Sequence, residues 1–108
     1  MTHSKNKGKR GELELCSVFK SEGFEARRGQ QYQGGEDSPD IVVEGLPWLH
    51  VECKRTEKLA LYDAIDQARR DAAEMQIPIV AHRRSRHRWV AILDLRDFLR
   101  LARETTIE

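Results

Sequence analysis

The sequence lacks the features that would mark a membrane, secreted or disulfide-rich protein. No apolar run approaches the roughly 20 residues that a membrane-spanning helix needs. The first ten residues are basic but contain no apolar core of the kind found in signal peptides, so we expect a cytoplasmic protein, or one in the host cytoplasm if the chain is viral. The two cysteines give little support to a disulfide or to a cysteine-based zinc site.

The sequence also lacks internal repeats, low-complexity tracts and any segment with the composition of a linker. Its 108 residues are enough for one hydrophobic core and too few for two. We therefore predict a single domain over residues 1–108, with loose termini at about 1–6 and 105–108. The four histidines do not have the spacing of metal ligands, and no helix-turn-helix or zinc module is recognisable.

The charge balance is nearly neutral, but the basic residues are clustered. A formal net charge of +1 by itself argues only weakly for a nucleic-acid partner. The basic residues nevertheless concentrate in segments 5–10, 27–28, 54–58 and 83–88. Such clusters can form a basic face on a near-neutral chain, although a well-mixed, solvated surface explains the same pattern equally well.

The pattern of apolar residues predicts an α/β fold. The predicted elements are a helix at 9–22, strands at 24–28, 40–44 and 48–54, a helix at 62–75, strands at 78–82 and 89–93, and a last helix after the N-cap Asp94 that carries Phe98, Leu99 and Leu101. The glycine-rich segment 29–38 is predicted to be a loop. The order αβββαββα describes a central mixed sheet flanked by helices.

Acidic and basic residues lie on two neighbouring predicted strands. Asp40 follows Pro39 at the start of one strand, and Glu52 and Lys54 lie on the next. Because side chains alternate between the two faces of a strand, Glu52 and Lys54 point to the same side, together with His50. Two carboxylates can bind a hard divalent cation, and a nearby amine can stabilise or deprotonate an attacking water. The pattern favours metal-dependent phosphodiester hydrolysis; a strand-start Asp40 and a cross-strand ion pair are the structural alternatives.

This arrangement resembles the PD-(D/E)XK nuclease superfamily, in which Asp40 and Glu52-x-Lys54 would be the motif on a restriction-endonuclease-like core. The segment Lys7-Gly8-x-x-x-Glu12 looks like the opening of the archaeal and phage Holliday junction resolvases of the Hjc type. The resemblance covers about residues 6–101. It implies a Mg²⁺-dependent endonuclease that resolves four-way DNA junctions by paired cuts, with Mn²⁺ able to substitute and no small-molecule cofactor.

The resemblance also implies roles for individual residues. Asp40 and Glu52 would bind the metal, the backbone carbonyl of Cys53 would add a ligand, and Glu12 would complete the acidic cluster. Lys54 would position the attacking water or neutralise charge at phosphorus. Taken alone, Glu12 is better explained by the favourable interaction of a first-turn glutamate with the helix dipole.

Further residues are candidates for auxiliary and DNA-binding roles. Gln67, on the second predicted helix, is a candidate auxiliary residue, although a polar residue on a helix surface needs no functional explanation. The candidate DNA contacts are Lys7, Lys9, Arg10, Arg28, Gln31, Tyr32, Arg55, Arg83, Arg84 and Arg86.

The symmetry of a four-way junction has a consequence for the oligomeric state of the enzyme. A four-way junction has approximate two-fold symmetry, so a domain with one active site can make paired cuts only as a two-fold dimer. The resemblance therefore implies a homodimer on branched DNA. The alternatives are another nuclease of the superfamily (restriction-like, repair or flap-specific), a catalytically silent DNA-binding module of the same fold, and an interaction domain unrelated to nucleases.

Overall fold

The structure, a computed structural model, describes residues 2–29 and 39–105, with side chains described from residue 8 onward. Its elements are α1 (Thr2–Ser21), β1 (Ala26–Arg28), β2 (Ile41–Val43), β3 (Leu49–Arg55), α2 (Leu61–Asp71), β4 (Ile77–Arg83), β5 (Val90–Ile92) and α3 (Leu95–Arg103). The predicted order αβββαββα is confirmed. Within the described residues, no helix is both long enough and apolar enough to cross a membrane.

The strands form one mixed sheet in the order β1-β2-β3-β4-β5. Strands β3 and β4 are parallel, and the other neighbours are antiparallel. The difference follows from the connections, since α2 provides the long crossover that a parallel pair requires, whereas a short turn suffices for an antiparallel pair. Gly45, with a φ of +85°, lies in the turn between β2 and β3 and adopts a conformation that other residues disfavour.

The two faces of the sheet are covered by different helices. One core cluster, which includes Leu15 and Cys16 of α1, packs on the face that presents Val51. The other cluster consists of Ala64, Ile65 and Ala68 of α2 with Val80 and lies on the opposite face. At Gly11, α1 passes so close to the sheet that an added Cβ would lie 2.7 Å from the Cβ of Arg55. These contacts fix α1 directly over the strand that carries the candidate motif.

Several element boundaries differ from the predicted ones. Helix α1 begins at Thr2 rather than at Lys9, because the backbone hydrogen bonds of a helix do not need the apolar spacing on which the prediction was based. Helix α2 ends at Asp71, since Ala72 is extended with a ψ of 145°, and Met75 is therefore 87% exposed rather than packed. The predicted loose C-terminus lies largely in residues 106–108, which are outside the described residues.

The last helix has the predicted N-cap but not the expected burial. The side chain of Asp94 accepts a hydrogen bond from the backbone N–H of Arg96 at 2.8 Å, as an N-cap does. The apolar residues of α3 are exposed, with Leu95 at 69%, Phe98 at 51% and Leu99 at 46%. An amphipathic pattern shows that a helix has an apolar face, but it does not show that the same chain covers that face.

Candidate active site

The hairpin of β2 and β3 places Asp40 beside the segment that carries Glu52 and Lys54. The backbone N–H of Asp40 donates to the carbonyl of Val51 at 2.9 Å, which sets the register of the hairpin at this point. The carboxylate Oδ2 of Asp40 accepts a hydrogen bond from the backbone N–H of Cys53 at 2.8 Å. The side chain of Asp40 is thereby held between the two motif residues of β3.

Glu52 is a buried carboxyl group next to a second acid. Its residue is 3% exposed, and this burial raises its pKa. The neighbouring carboxylate of Asp40 raises the pKa further, whereas a hydrogen bond with His50 lowers it, and the result is a pKa of about 7. Near neutral pH, Glu52 therefore holds a proton part of the time unless a positive charge stabilises its ionised form.

His50 contacts Glu52 directly. The Nε2 atom of His50 lies 2.9 Å from Oε1 of Glu52, and His50 is 0% exposed. Strand alternation predicts that the two side chains share a face, but burial of the imidazole against the carboxylate depends on how other elements pack over that face. The spacing of two residues along one strand is the feature of the sequence that indicates this contact.

Lys54 and Gln67 come together although they lie on different elements. The Nζ atom of Lys54 donates to Oε1 of Gln67 at 3.2 Å, which connects β3 to α2. An ammonium group has three donors, so two remain for a water molecule or a phosphate oxygen. The structure thus brings the candidate auxiliary residue to the candidate catalytic lysine, and the functional role of Gln67 stays a prediction.

Glu12 lies close enough to interact with Asp40 but is paired with a base. Its Oε1 atom accepts a hydrogen bond from Nε of Arg28 at 2.7 Å. Burial raises the pKa of Glu12, the bond from Arg28 lowers it, and the charge of Asp40 raises it again. Helix α1 therefore brings a carboxylate within electrostatic range of Asp40, together with Arg28, an arginine predicted to contact DNA.

The donor set fits a hard divalent cation. In the described part of the chain, no three His, Cys, Asp or Glu side chains stand close enough together to enclose an ion. Asp40 and Glu52 nevertheless form a carboxylate pair whose repulsion a cation would relieve, and Mg²⁺ commonly binds through one or two carboxylates while it keeps several waters. The thiol of Cys53 does not compete as a ligand, since burial raises its pKa to about 12, so only its backbone carbonyl is available.

Two further predicted DNA-binding arginines, in addition to Arg28, form ion pairs within the protein. Arg83 donates to Oε1 of Glu14, which also accepts from the indole Nε1 of Trp89 at 3.0 Å. Arg55 donates to Glu57 at 3.2 Å. The bonds to Glu14 join α1 to the β4–β5 hairpin, and Arg55 of β3 also lies 4.0 Å from Glu14.

Some of the other predicted DNA contacts are exposed on the described surface, and the rest lie outside the described residues. Arg84 and Arg86 are exposed in the β4–β5 hairpin, and Lys9 and Arg10 are exposed on α1. Gln31, Tyr32 and the side chain of Lys7 lie outside the described residues. Contact with DNA stays a prediction for all of these residues.

Comparison with known proteins identifies the family. A family model described as archaeal Holliday junction resolvase (Hjc) matches residues 3–92. The chain belongs to this family. Resolution of four-way DNA junctions is the function of the family, whose members are metal-dependent crossover junction endonucleases. The resemblance stated from the sequence and the nuclease class are therefore confirmed.

A solved structure supports the same assignment. Hjc of Archaeoglobus fulgidus, a Holliday junction resolvase from an archaeal hyperthermophile, matches with a TM-score of 0.58 and 28% sequence identity. The match covers 81% of this chain and 72% of that chain. No curated protein matches the chain. The αβββαββα arrangement thus agrees with the resolvase fold.

Proposed function

We propose that this protein resolves four-way DNA junctions with an active site formed by Asp40, Glu52 and Lys54, assisted by Glu12. The observation that carries this proposal is the convergence of Asp40 and Glu52, whose mutual repulsion contributes to the pKa of about 7 at Glu52. A buried carboxyl group beside a half-buried second acid is unfavourable without a cation, so this pair next to an amine favours a catalytic metal site.

Mg²⁺ is the proposed ion, with Mn²⁺ as a substitute. Asp40 and Glu52 would hold it through carboxylate oxygens, with the carbonyl of Cys53 as a further ligand and Glu12 bound directly or through a water. When bound, the ion polarises the scissile phosphate and lowers the pKa of water. The protein fixes the donors, since the bond from the Cys53 N–H orients Asp40.

Lys54 provides the positive charge of the protein at the reacting phosphate. Its ammonium group lies on the same strand face as Glu52 and is held by Gln67. A positioned cation stabilises negative charge that develops on the phosphate oxygens in the transition state. Gln67 acts as a positioning residue in this proposal, because its Oε1 accepts a hydrogen bond from Lys54 without neutralising the positive charge.

The proposed substrate contacts are made through the phosphate backbone. Arg84, Arg86 and Arg88 form an exposed basic segment at the β4–β5 hairpin, and Lys9 and Arg10 form another on α1. Contacts of this type position a protein on DNA without reading its sequence. Recognition of branched shape, rather than of base edges, follows from such a surface.

We further propose that the active form is a homodimer. Each protomer has one candidate site, whereas resolution of a junction requires cuts on two opposing strands. The exposed Leu95, Phe98 and Leu99 of α3 supply an apolar surface suited to association with a second copy.

Cleavage of a synthetic four-way junction tests the proposed function. We expect the wild-type protein to make paired nicks near the crossover when Mg²⁺ is present and the Glu52→Ala variant to make none. Glu44→Ala is a matched control, because Glu44 is an exposed glutamate paired with Arg27 on the neighbouring strand.

Comparison of substrates separates this proposal from its rivals. Linear duplex and flap DNA of the same sequence should remain intact under conditions that cleave the junction. Equal cleavage of all three substrates would favour a less selective nuclease, and no paired nicking by the wild type in Mg²⁺ or Mn²⁺ would contradict the proposal.

A further inference from the structure

Strand β3 contains a buried histidine two residues before Glu52. His50 is 0% exposed on the sheet face that α2 covers, and Glu52 beside it is 3% exposed. The Nε2 atom of His50 lies 2.9 Å from Oε1 of Glu52. The pair therefore lies out of contact with bulk solvent, and one of its two members, Glu52, is the candidate metal ligand.

Packing does not account for a histidine at this position. Its other ring nitrogen, Nδ1, has no hydrogen-bond partner among the described residues. A buried polar atom without a partner destabilises a fold, whereas an aliphatic side chain of similar size carries no such cost. The cluster buried on this side of the sheet is apolar and consists of Ala64, Ile65, Ala68 and Val80. The imidazole differs from leucine in this setting by its hydrogen bond to Glu52.

The two candidate metal ligands need different means of orientation. Asp40 is held by the backbone, since its Oδ2 accepts from the N–H of Cys53 at 2.8 Å. Glu52 has a longer side chain with one more rotatable bond, and its described partners are side chains. A fixed donor on one carboxylate oxygen removes rotational freedom that metal binding would otherwise have to remove.

We propose that His50 is a positioning residue for Glu52. In the neutral imidazole, Nε2–H donates to Oε1 of the ionised carboxylate, and Oε2 is left for the cation next to Asp40. Because an ionised carboxylate only accepts hydrogen bonds, the ring proton lies on Nε2 and the lone pair on the unpartnered Nδ1. This inference rests on the proposed role of Glu52 as a metal ligand.

The proposed role has a measurable consequence for metal affinity. Removal of a group that hydrogen-bonds to a metal ligand typically lowers the affinity for the metal by about 10- to 100-fold. We therefore expect His50 to act on the binding of the cation and on the metal concentration that cleavage needs. Binding of DNA in the absence of the cation should not depend on His50.

Two substitutions distinguish the hydrogen bond from the volume of the side chain. His50→Gln keeps an N–H donor near the position of Nε2, whereas His50→Leu fills similar space without a donor. Binding of Mn²⁺ to each purified variant is measured by calorimetry without DNA, and thermal unfolding is measured without metal. We expect His50→Leu to weaken Mn²⁺ binding about 10- to 100-fold while it still unfolds cooperatively without metal. His50→Gln should bind Mn²⁺ nearly as the wild type does.

Two outcomes would overturn the proposal. If His50→Leu binds Mn²⁺ as tightly as the wild type, His50 does not position the ligand. If His50→Gln and His50→Leu lose the same affinity, the donor is not the relevant property. A Glu52→Gln variant, measured in parallel, separates this proposal from the proposed active site: unchanged Mn²⁺ binding in that variant would remove Glu52 as a ligand.

The tautomer of His50 provides a test that needs no substitution. Nitrogen-15 NMR of the wild-type protein saturated with Mg²⁺ reports which ring nitrogen carries the proton. We expect a neutral imidazole protonated at Nε2. Protonation at Nδ1 in the metal-bound protein would contradict the proposed hydrogen bond, even if the leucine variant does not fold.

Discussion

At the scale of single residues, Glu52 illustrates how burial and a neighbouring charge prepare a carboxyl group for a cation. Desolvation and the Asp40 carboxylate both favour the protonated form, and the pKa of Glu52 is raised to about 7. A divalent cation reverses this preference because it stabilises the ionised form. The proposed cation would therefore offset the two effects that disfavour ionised Glu52 in the absence of metal.

Stability without metal should fall as the pH rises from about 4.5 to about 7. The pKa of Glu52 is raised in the folded state above its usual 4.5, so the folded protein binds more protons than the unfolded chain in this window. Thermal unfolding of the wild type and of Glu52→Gln between pH 4.5 and 8 checks this expectation. The decline should be smaller in the variant, in which Glu12 with its raised pKa still contributes, and identical pH profiles for the two proteins would contradict the assignment. Addition of Mg²⁺ at pH 8 should stabilise only the wild type.

Lys54→Met should lower the cleavage rate by about 10²- to 10³-fold. The variant loses the positive charge that would stabilise the negative charge developing on the phosphate in the transition state. Affinity for the junction should change little, since one of many phosphate contacts is removed. Single-turnover cleavage and a binding assay in Ca²⁺ separate the two effects. Lys58→Met, at an exposed position beyond the end of β3, is the control and should cleave normally. A loss confined to binding would show that Lys54 serves only as a DNA contact.

At the scale of elements, the β4–β5 hairpin is hydrogen-bonded to the segment that follows β3. Glu57 accepts hydrogen bonds from the backbone N–H and the hydroxyl of Ser85 at 3.0 and 2.8 Å. These bonds lower the pKa of Glu57 to about 2. Arg86, in the same turn, adopts a left-handed conformation with a φ of 69°. The hairpin therefore presents its basic residues from a defined position relative to β3, the strand of the candidate site.

Replacement of Arg84 and Arg86 together by alanine should weaken binding to four-way junctions whatever their DNA sequence. If both side chains contact phosphates, the slope of log affinity against log salt should become shallower by about one for each contact. Binding is measured at several salt concentrations without catalytic metal. Arg70→Ala and Arg103→Ala, exposed on α2 and α3, form the control pair. An unchanged salt slope in the Arg84 and Arg86 variant would assign the hairpin to a solvated surface.

At the scale of the whole molecule, the fold has an apolar surface that none of the described residues covers. Leu95, Phe98 and Leu99 of α3 are each between 46% and 69% exposed. The helix is anchored at its start, where Asp94 accepts a hydrogen bond from Arg69 of α2 at 2.9 Å. A helix with an exposed apolar stripe is more favourable when a second copy covers it, which agrees with the proposed dimer.

Phe98→Asp should shift the protein towards a monomer, because burial of a charge at an apolar interface is unfavourable. Analytical ultracentrifugation gives the mass of the species, and junction cleavage gives the ratio of paired to single nicks. We expect single nicks to increase in the variant. Leu13→Asp is the control, since Leu13 is 48% exposed on α1, which covers the other face of the sheet. A wild-type protein that is monomeric and still makes paired nicks would contradict the dimer.

The sequence by itself determined the features that depend on local periodicity. The alternation of a strand assigned His50, Glu52 and Lys54 to one face, and the succession of patterns determined the order αβββαββα. The N-cap at Asp94 was predictable for the same reason, because capping is a local interaction. The fold and the resolvase family, both predicted from the sequence, are confirmed.

Only the tertiary structure decided which distant residues meet. Glu12 lies on α1 and Arg28 on β1, and Lys54 and Gln67 are brought together from β3 and α2. Burial of Glu52 likewise depends on the helix packed over its strand, so its raised pKa could not be derived from the motif. The physical reason is that alternation fixes the direction of a side chain along its own element, whereas contacts, burial and local charge depend on how separate elements pack together.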